Sequence, residues 1–142
     1  MSEEKRPRPL RLLFVDDDPL ICSCFSSLVT AMCKAAVSVC HNAEEALQLL
    51  TEHTYDLVIT DLVMPGPLDG LQLAERVIDT YHIPVILISG YAMEDVLPLG
   101  LPPTKAICCL SKPYTVSQVK EKITLALAGT ENPAEQENNL VP

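Results

Sequence analysis

The sequence predicts an α/β domain, a doubly wound five-stranded parallel sheet with helices on both faces. Short apolar runs alternate with longer stretches of helical period, the pattern of repeated βα units. The short runs are continuously apolar rather than alternating, which suits strands covered on both sides. A chain of 142 residues with 48% hydrophobic side chains fits one domain around one core system.

Strands are expected at residues 10–15, 37–41, 56–60, 85–89 and 106–110. Between the first two, Leu20, Ile21, Cys24, Phe25, Leu28, Val29 and Met32 recur at helical spacing, with Asp18 placed to cap and Pro19 at the first helical position. Asn42 with Glu45 resembles a capping box before Ala46, Leu47, Leu49 and Leu50. A third helix is expected after Asp69-Gly70, burying Leu71, Ala74, Val77 and Ile78. The last helix repeats the capping logic with Thr115 and Gln118, sets Val116, Val119, Ile123 and Leu127 on one face, and is expected to stop at Gly129. The slot after Ser89 is poor in helix signal, because Pro98, Gly100, Pro102 and Pro103 follow Ala92 to Leu97 at once. Residues 1–9 and 129–142 carry too little apolar surface to offset the entropy of ordering and are expected to be flexible tails around a domain at 10–128.

A formal net charge of −9 and a pI near 4.6 argue against nucleic-acid binding, which needs clustered Lys and Arg. No apolar run has the length of a membrane span and the opening residues lack a signal peptide's apolar core, so a cytoplasmic location is expected. The six cysteines (Cys22, Cys24, Cys33, Cys40, Cys108 and Cys109) fall in apolar periodic segments and are expected to be small buried hydrophobes rather than disulfides. There is no paired CxxC, and His41, His53 and His82 are scattered, which disfavours zinc.

In an open α/β sheet, ligands sit at the carboxyl ends of the strands. Asp16 and Asp17 close the first strand, Asp61 closes the third, Ser89 ends the fourth and Lys112 follows the fifth, so the fold would gather them at one edge. Three neighbouring carboxylates raise one another's pKa unless positive charge intervenes. Lys112 supplies one charge and a divalent ion the rest; Mg²⁺ suits carboxylates, waters and a phosphate oxygen. Asp61 would then be the nucleophile for a phosphoryl group, with Lys112 and the Ser89 hydroxyl on its oxygens.

The runs Phe14-Val15-Asp16-Asp17-Asp18-Pro19, Thr60-Asp61-Leu62-Val63-Met64-Pro65-Gly66, Ile88-Ser89-Gly90 and Leu110-Ser111-Lys112-Pro113-Tyr114 occur in the order and at the separations typical of response-regulator receiver domains, and from Leu10 to Ala128 the chain resembles that family. The resemblance implies the flavodoxin-like strand order 2-1-3-4-5, Asp61 as phosphoacceptor, Asp16, Asp17, Asp61 and the Val63 carbonyl as Mg²⁺ ligands, and Ser89 and Lys112 as phosphoryl contacts. It also implies a cis bond before Pro113, a phosphohistidine donor on a histidine kinase or histidine phosphotransfer protein, an unknown downstream protein, and a monomer or weak dimer. Phosphorylation in the family draws the hydroxyl at Ser89 inward and remodels the face built by the fourth helix, fifth strand and fifth helix.

Two departures bear on that switch. The position three before Lys112, usually aromatic in receivers, is Cys109, which leaves Tyr91 and Cys109 as switch candidates. The proline-rich segment after Tyr91 resembles receivers of hybrid sensor kinases. Val63 and Tyr91 flank the expected path of hydrolytic water, so slow loss of the phosphoryl group is expected, and Met1 with the polar tail fits a single-domain regulator. Two other readings compete: a receiver-fold interaction module that is never phosphorylated, and a DxD-type phosphatase with Asp16 as nucleophile and Asp18 as acid.

Overall fold

The computed structural model describes residues 9–64, 66–90 and 107–131. The expectations for Tyr91, for the proline-rich segment and for most of both tails lie outside the described residues. The chain runs β1 (Leu10–Val15), α1 (Pro19–Cys33), β2 (Ala35–Cys40), α2 (Ala43–Glu52), β3 (Leu57–Asp61), α3 (Gly70–Arg76), β4 (Val85–Ser89), β5 (Ile107–Ser111) and α4 (Val116–Glu131). The strands form one parallel sheet in the order β2-β1-β3-β4-β5. The chain order reverses at β1, so the carboxyl ends of β1 and β3 adjoin at the switch point.

Alternate residues of each strand feed two cores. Leu13, Val15, Val58, Val85 and Leu87 pack under α2 and α3, against Ala46, Leu50, Leu73, Ala74 and Val77. Leu12, Phe14, Leu57, Ile59, Ile86 and Ile88 pack on the other face against Cys22, Phe25 and Val29 of α1 and Val119, Ile123 and Ala126 of α4. Phe14 and Phe25 stack with centroids 4.0 Å apart, which pins α1 to β1 below the carboxyl end of that strand.

The caps act as the residue types predict, with some revisions. Asp18 accepts the Leu20 N–H, and Asn42 accepts the Glu45 N–H at 2.8 Å. Glu45 reaches back one residue further than a regular capping box, to the His41 N–H at 2.8 Å. Asp69 with Gln72 and Thr115 with Gln118 make complete reciprocal boxes. After Arg76 the third helix widens into a π-type turn over Val77–Tyr81 and ends at His82 in the left-handed region (φ 57°).

Several expectations are corrected. β2 begins at Ala35, two residues earlier than expected, because Lys34 at φ 53° turns the chain straight into register with Leu10. β2 therefore also stops at Cys40, which leaves His41 just beyond the strand. β3 is shifted by one and includes Asp61, since the Asp56 carboxylate is used outside the strand, accepting the Arg11 N–H at 2.9 Å. β5 extends to Ser111, opposite Ser89. Gly129 does not stop α4, which continues to Glu131; one glycine in a last turn costs only about 1 kcal/mol. Leu73, not singled out from the sequence, is fully buried, whereas Leu71 and Ile78 are half-buried. Val116 is exposed, whereas Val119 and Ile123 of the same helix are buried. Cys22 and Cys40 are buried as expected, but Cys33, Cys108 and Cys109 are only half-buried and Cys24 is exposed at the border of the apolar stripe of α1.

Candidate functional site

β1 and β3 deliver their acids to the same point. Asp16, Asp17 and Asp61 each present a carboxylate oxygen within 4.8 Å of the others. Asp16 is buried and Asp61 nearly so, while Asp17 is exposed, so the cluster opens to solvent on one side. Lys112, carried just past β5, sets its Nζ 3.4 Å from Asp61 Oδ2. Ser89 is buried at the end of β4, opposite Ser111 of β5 and one residue past Ile88, the register partner of Asp61, and its carbonyl accepts the Lys112 N–H at 2.8 Å. The sheet thus brings together all five polar residues that the strand ends predicted.

Burial pushes the Asp16 carboxyl above its ordinary range; the hydrogen bond from the Asp18 N–H to Asp16 Oδ1 opposes this, and the Asp61 and Asp17 charges outweigh Lys112 in adding to it. One lysine therefore leaves the cluster short of positive charge. Three carboxylate oxygens converging on one open point, two of them on buried residues, are a donor set that fits a hard divalent cation with waters completing its shell.

The other predicted residues are placed as follows. Val63 lies two residues after Asp61 with its side chain exposed. Cys109 is half-buried on the face of the sheet shared with α2 and α3, and burial raises its thiol pKa, with Cys108 adding to the effect. Asp18 uses Oδ1 on the helix cap, accepting the Leu20 N–H at 2.9 Å. The Lys112–Pro113 peptide is cis.

Sequence reasoning missed three neighbours of the site. A Cβ on Gly70 would lie 1.9 Å from the carbonyl oxygen of Asp61, so the start of α3 rests on the backbone of Asp61 itself, and the Gly70 N–H donates to the Leu62 carbonyl at 2.9 Å. Tyr114 is half-buried close enough to the acids that, after burial, Asp16 and Asp61 raise its pKa further. His41 touches the back of the acid pair, with Nδ1 3.2 Å from the Asp16 carbonyl. The Asp69-Gly70 dipeptide was readable only as a cap, and nothing local marks the other two.

The model of the response regulator receiver domain matches residues 12–124. The chain belongs to the receiver-domain family. It is 35% identical over 116 residues to a two-component response regulator of Arabidopsis thaliana, covering 80% of this chain and 17% of that protein. A response regulator receiver protein from Sinorhizobium medicae superposes with a TM-score of 0.76 at 25% identity, covering 87% of this chain and 98% of that one. A response regulator from Thermotoga maritima, solved in complex with Mg²⁺-BeF, gives a TM-score of 0.70 at 28% identity, covering 83% and 99%. The receiver thus spans only 13–37% of the length of the curated relatives it matches. Receiver domains are signalling domains of two-component systems; they bind Mg²⁺ at an aspartate cluster and interact with histidine kinases or phosphotransfer proteins. No helix among the described residues is long and apolar enough to cross a membrane.

Proposed function

We propose that this receiver takes a phosphoryl group from a phosphohistidine donor onto Asp61 and, so charged, changes a protein-binding face or passes the group on. The observation that carries this reading is the meeting of Asp16, Asp17 and Asp61 within 4.8 Å, with Lys112 on Asp61. Asp16, Asp17, Asp61 and the Val63 carbonyl would hold Mg²⁺, in keeping with the Mg²⁺-BeF complex of the Thermotoga relative. When bound, the cation supplies positive charge that the phosphoryl oxygens and the carboxylates share.

The chain's own residues do the rest. Asp61 Oδ attacks the phosphorus in line; the P–N bond to the donor imidazole breaks, and its electron pair leaves with that ring. Lys112 pairs with a phosphoryl oxygen and the Ser89 hydroxyl donates to another as that charge settles beside Asp61. Among the described residues the cationic partner of Asp61 is the partly exposed Lys112, 3.4 Å from one carboxylate oxygen, Oδ2. Cys109 and Tyr91 remain the switch candidates, and Val63 with Tyr91 would shield the acyl phosphate from water.

Purified protein incubated with Mg²⁺ and a small acyl phosphodonor tests the reading by intact mass. One added phosphoryl group is expected, lost in EDTA and lost in Asp61→Asn. No gain in the wild type would favour a receiver-fold module that is never phosphorylated.

A further inference from the structure

The Asp16 carbonyl belongs to the peptide that joins the two adjacent acids, and it is unusually well held. Two side chains converge on that oxygen: Cys22 Sγ at 3.2 Å and His41 Nδ1 at 3.2 Å. On the other side of the residue, the Asp16 N–H donates to the Cys40 carbonyl at 3.1 Å, which completes the β1–β2 ladder. A peptide unit is planar, so fixing its oxygen fixes the direction in which the next residue leaves. The next residue is Asp17, which is exposed and whose carboxylate has no hydrogen bond among the described residues. Asp16 is aimed by the Asp18 N–H at 2.9 Å, whereas among the described residues Asp17 is aimed through its backbone.

We infer that His41 is a positioning residue for the acid pair: as the Nδ1–H tautomer it donates to the Asp16 carbonyl and, together with the Cys22 thiol, sets the plane from which Asp17 faces the cation site. This rests on Asp16 and Asp17 holding the cation, as proposed above. The tautomer follows from the geometry, because a carbonyl oxygen can only accept. Cys22 lies 3.7 Å from the same ring nitrogen, so with Nδ1 protonated its thiol hydrogen is left for the Asp16 carbonyl, and the two donors share one acceptor with two lone pairs. His41 is put there by two features of the chain. β2 ends at Cys40, and the Glu45 carboxylate takes the His41 N–H at 2.8 Å, so the cap of α2 fixes the backbone from which the ring reaches β1.

The test compares His41→Leu, which deletes the donor, with His41→Asn, whose amide nitrogen can stand where Nδ1 stood. Mg²⁺ affinity is measured by calorimetric titration, thermal stability is measured without metal, and the imidazole tautomer is read by ¹⁵N NMR in the metal-free wild type. Expected are an Nδ1–H tautomer, a loss of Mg²⁺ affinity of about tenfold in His41→Leu, and near wild-type affinity in His41→Asn. His41→Asn, which keeps the hydrogen bond, should melt near the wild type without metal. Equal Mg²⁺ affinity in all three proteins, or equal losses in both variants, would overturn the positioning role while leaving the phosphoacceptor reading intact. An Nε2–H tautomer in the wild type would overturn it even if His41→Leu failed to fold. Absence of Mg²⁺ binding by the wild type would instead sink the cation site itself, and this inference with it.

Discussion

Asp16→Asn should stabilise the metal-free protein, against the usual rule that altering a buried polar residue destabilises. Asp16 is 2% exposed, and its carboxylate shares a 4.8 Å neighbourhood with those of Asp17 and Asp61. At that separation and an effective dielectric constant near 20, each ionised pair repels by about 3 kcal/mol. Lys112, the Asp18 N–H and local relaxation offset most of this, while relief of the burial cost adds to it, leaving about 1–2 kcal/mol of net relief when Asp16 loses its charge. Asparagine keeps an oxygen for the Asp18 N–H, so the hydrogen bond that aims the side chain survives. The relief corresponds to a rise in Tm of about 3–6 °C for a domain of this size. The pH dependence has a definite sign. The folded Asp16 carboxyl titrates above its unfolded value of 3.8, so the wild type loses stability as pH rises from there through the folded pKa, and the loss is complete above it. The advantage of Asp16→Asn is therefore full above the folded pKa and fades as pH falls towards the unfolded value. Excess Mg²⁺ should reverse the order, since binding stabilises only the chain that keeps its acid. Thermal melts in EDTA and in Mg²⁺ across this pH range read all of it. A lower Tm for Asp16→Asn in EDTA at neutral pH would refute the argument that uncompensated charge strains the cluster.

Gly70→Ala should cost about 3 kcal/mol or more in urea unfolding, because the new methyl meets the backbone of Asp61 rather than a side chain that could yield; a change under about 0.5 kcal/mol would contradict that. Phe25→Ala removes a buried ring stacked on Phe14 and should cost about 3–5 kcal/mol by the same measurement. Lys112→Met should slow phosphorylation of Asp61 at least tenfold in a phosphodonor time course, as one cation fewer faces the developing charge, and an unchanged rate would remove Lys112 from the site. Among thiols, Cys24 should label first with a maleimide in the folded protein. Cys22 and Cys40, pushed by burial up to about 11 and about 12, should react only on unfolding.

The five-residue site was legible because each member interrupts an apolar run with a chemically unlike side chain at a strand end, and the βα pattern dictates which ends meet. The caps were legible for a similar reason, being local in sequence. What escaped was tertiary. Ala35 and Ala36 have no strand signature of their own and pair only because β1 needs partners along its whole length. Gly70 looked like a turn residue, while the demand on it comes from a carbonyl on β3. His41 and Cys22 looked like a scattered histidine and a small hydrophobe, yet both meet the Asp16 carbonyl because β2 lies beside β1. Helical spacing put Cys24 and Val116 on apolar faces without saying how far the neighbouring layer extends.

The central claim, that Asp61 and neither Asp16 nor Asp17 receives the phosphoryl group, is tested most directly by trapping the acyl phosphate with borohydride and mapping the reduced residue by peptide mass spectrometry. Reduction at position 61 alone is expected. Reduction at Asp16 or Asp17, or none in protein that has gained a phosphoryl mass, would contradict it.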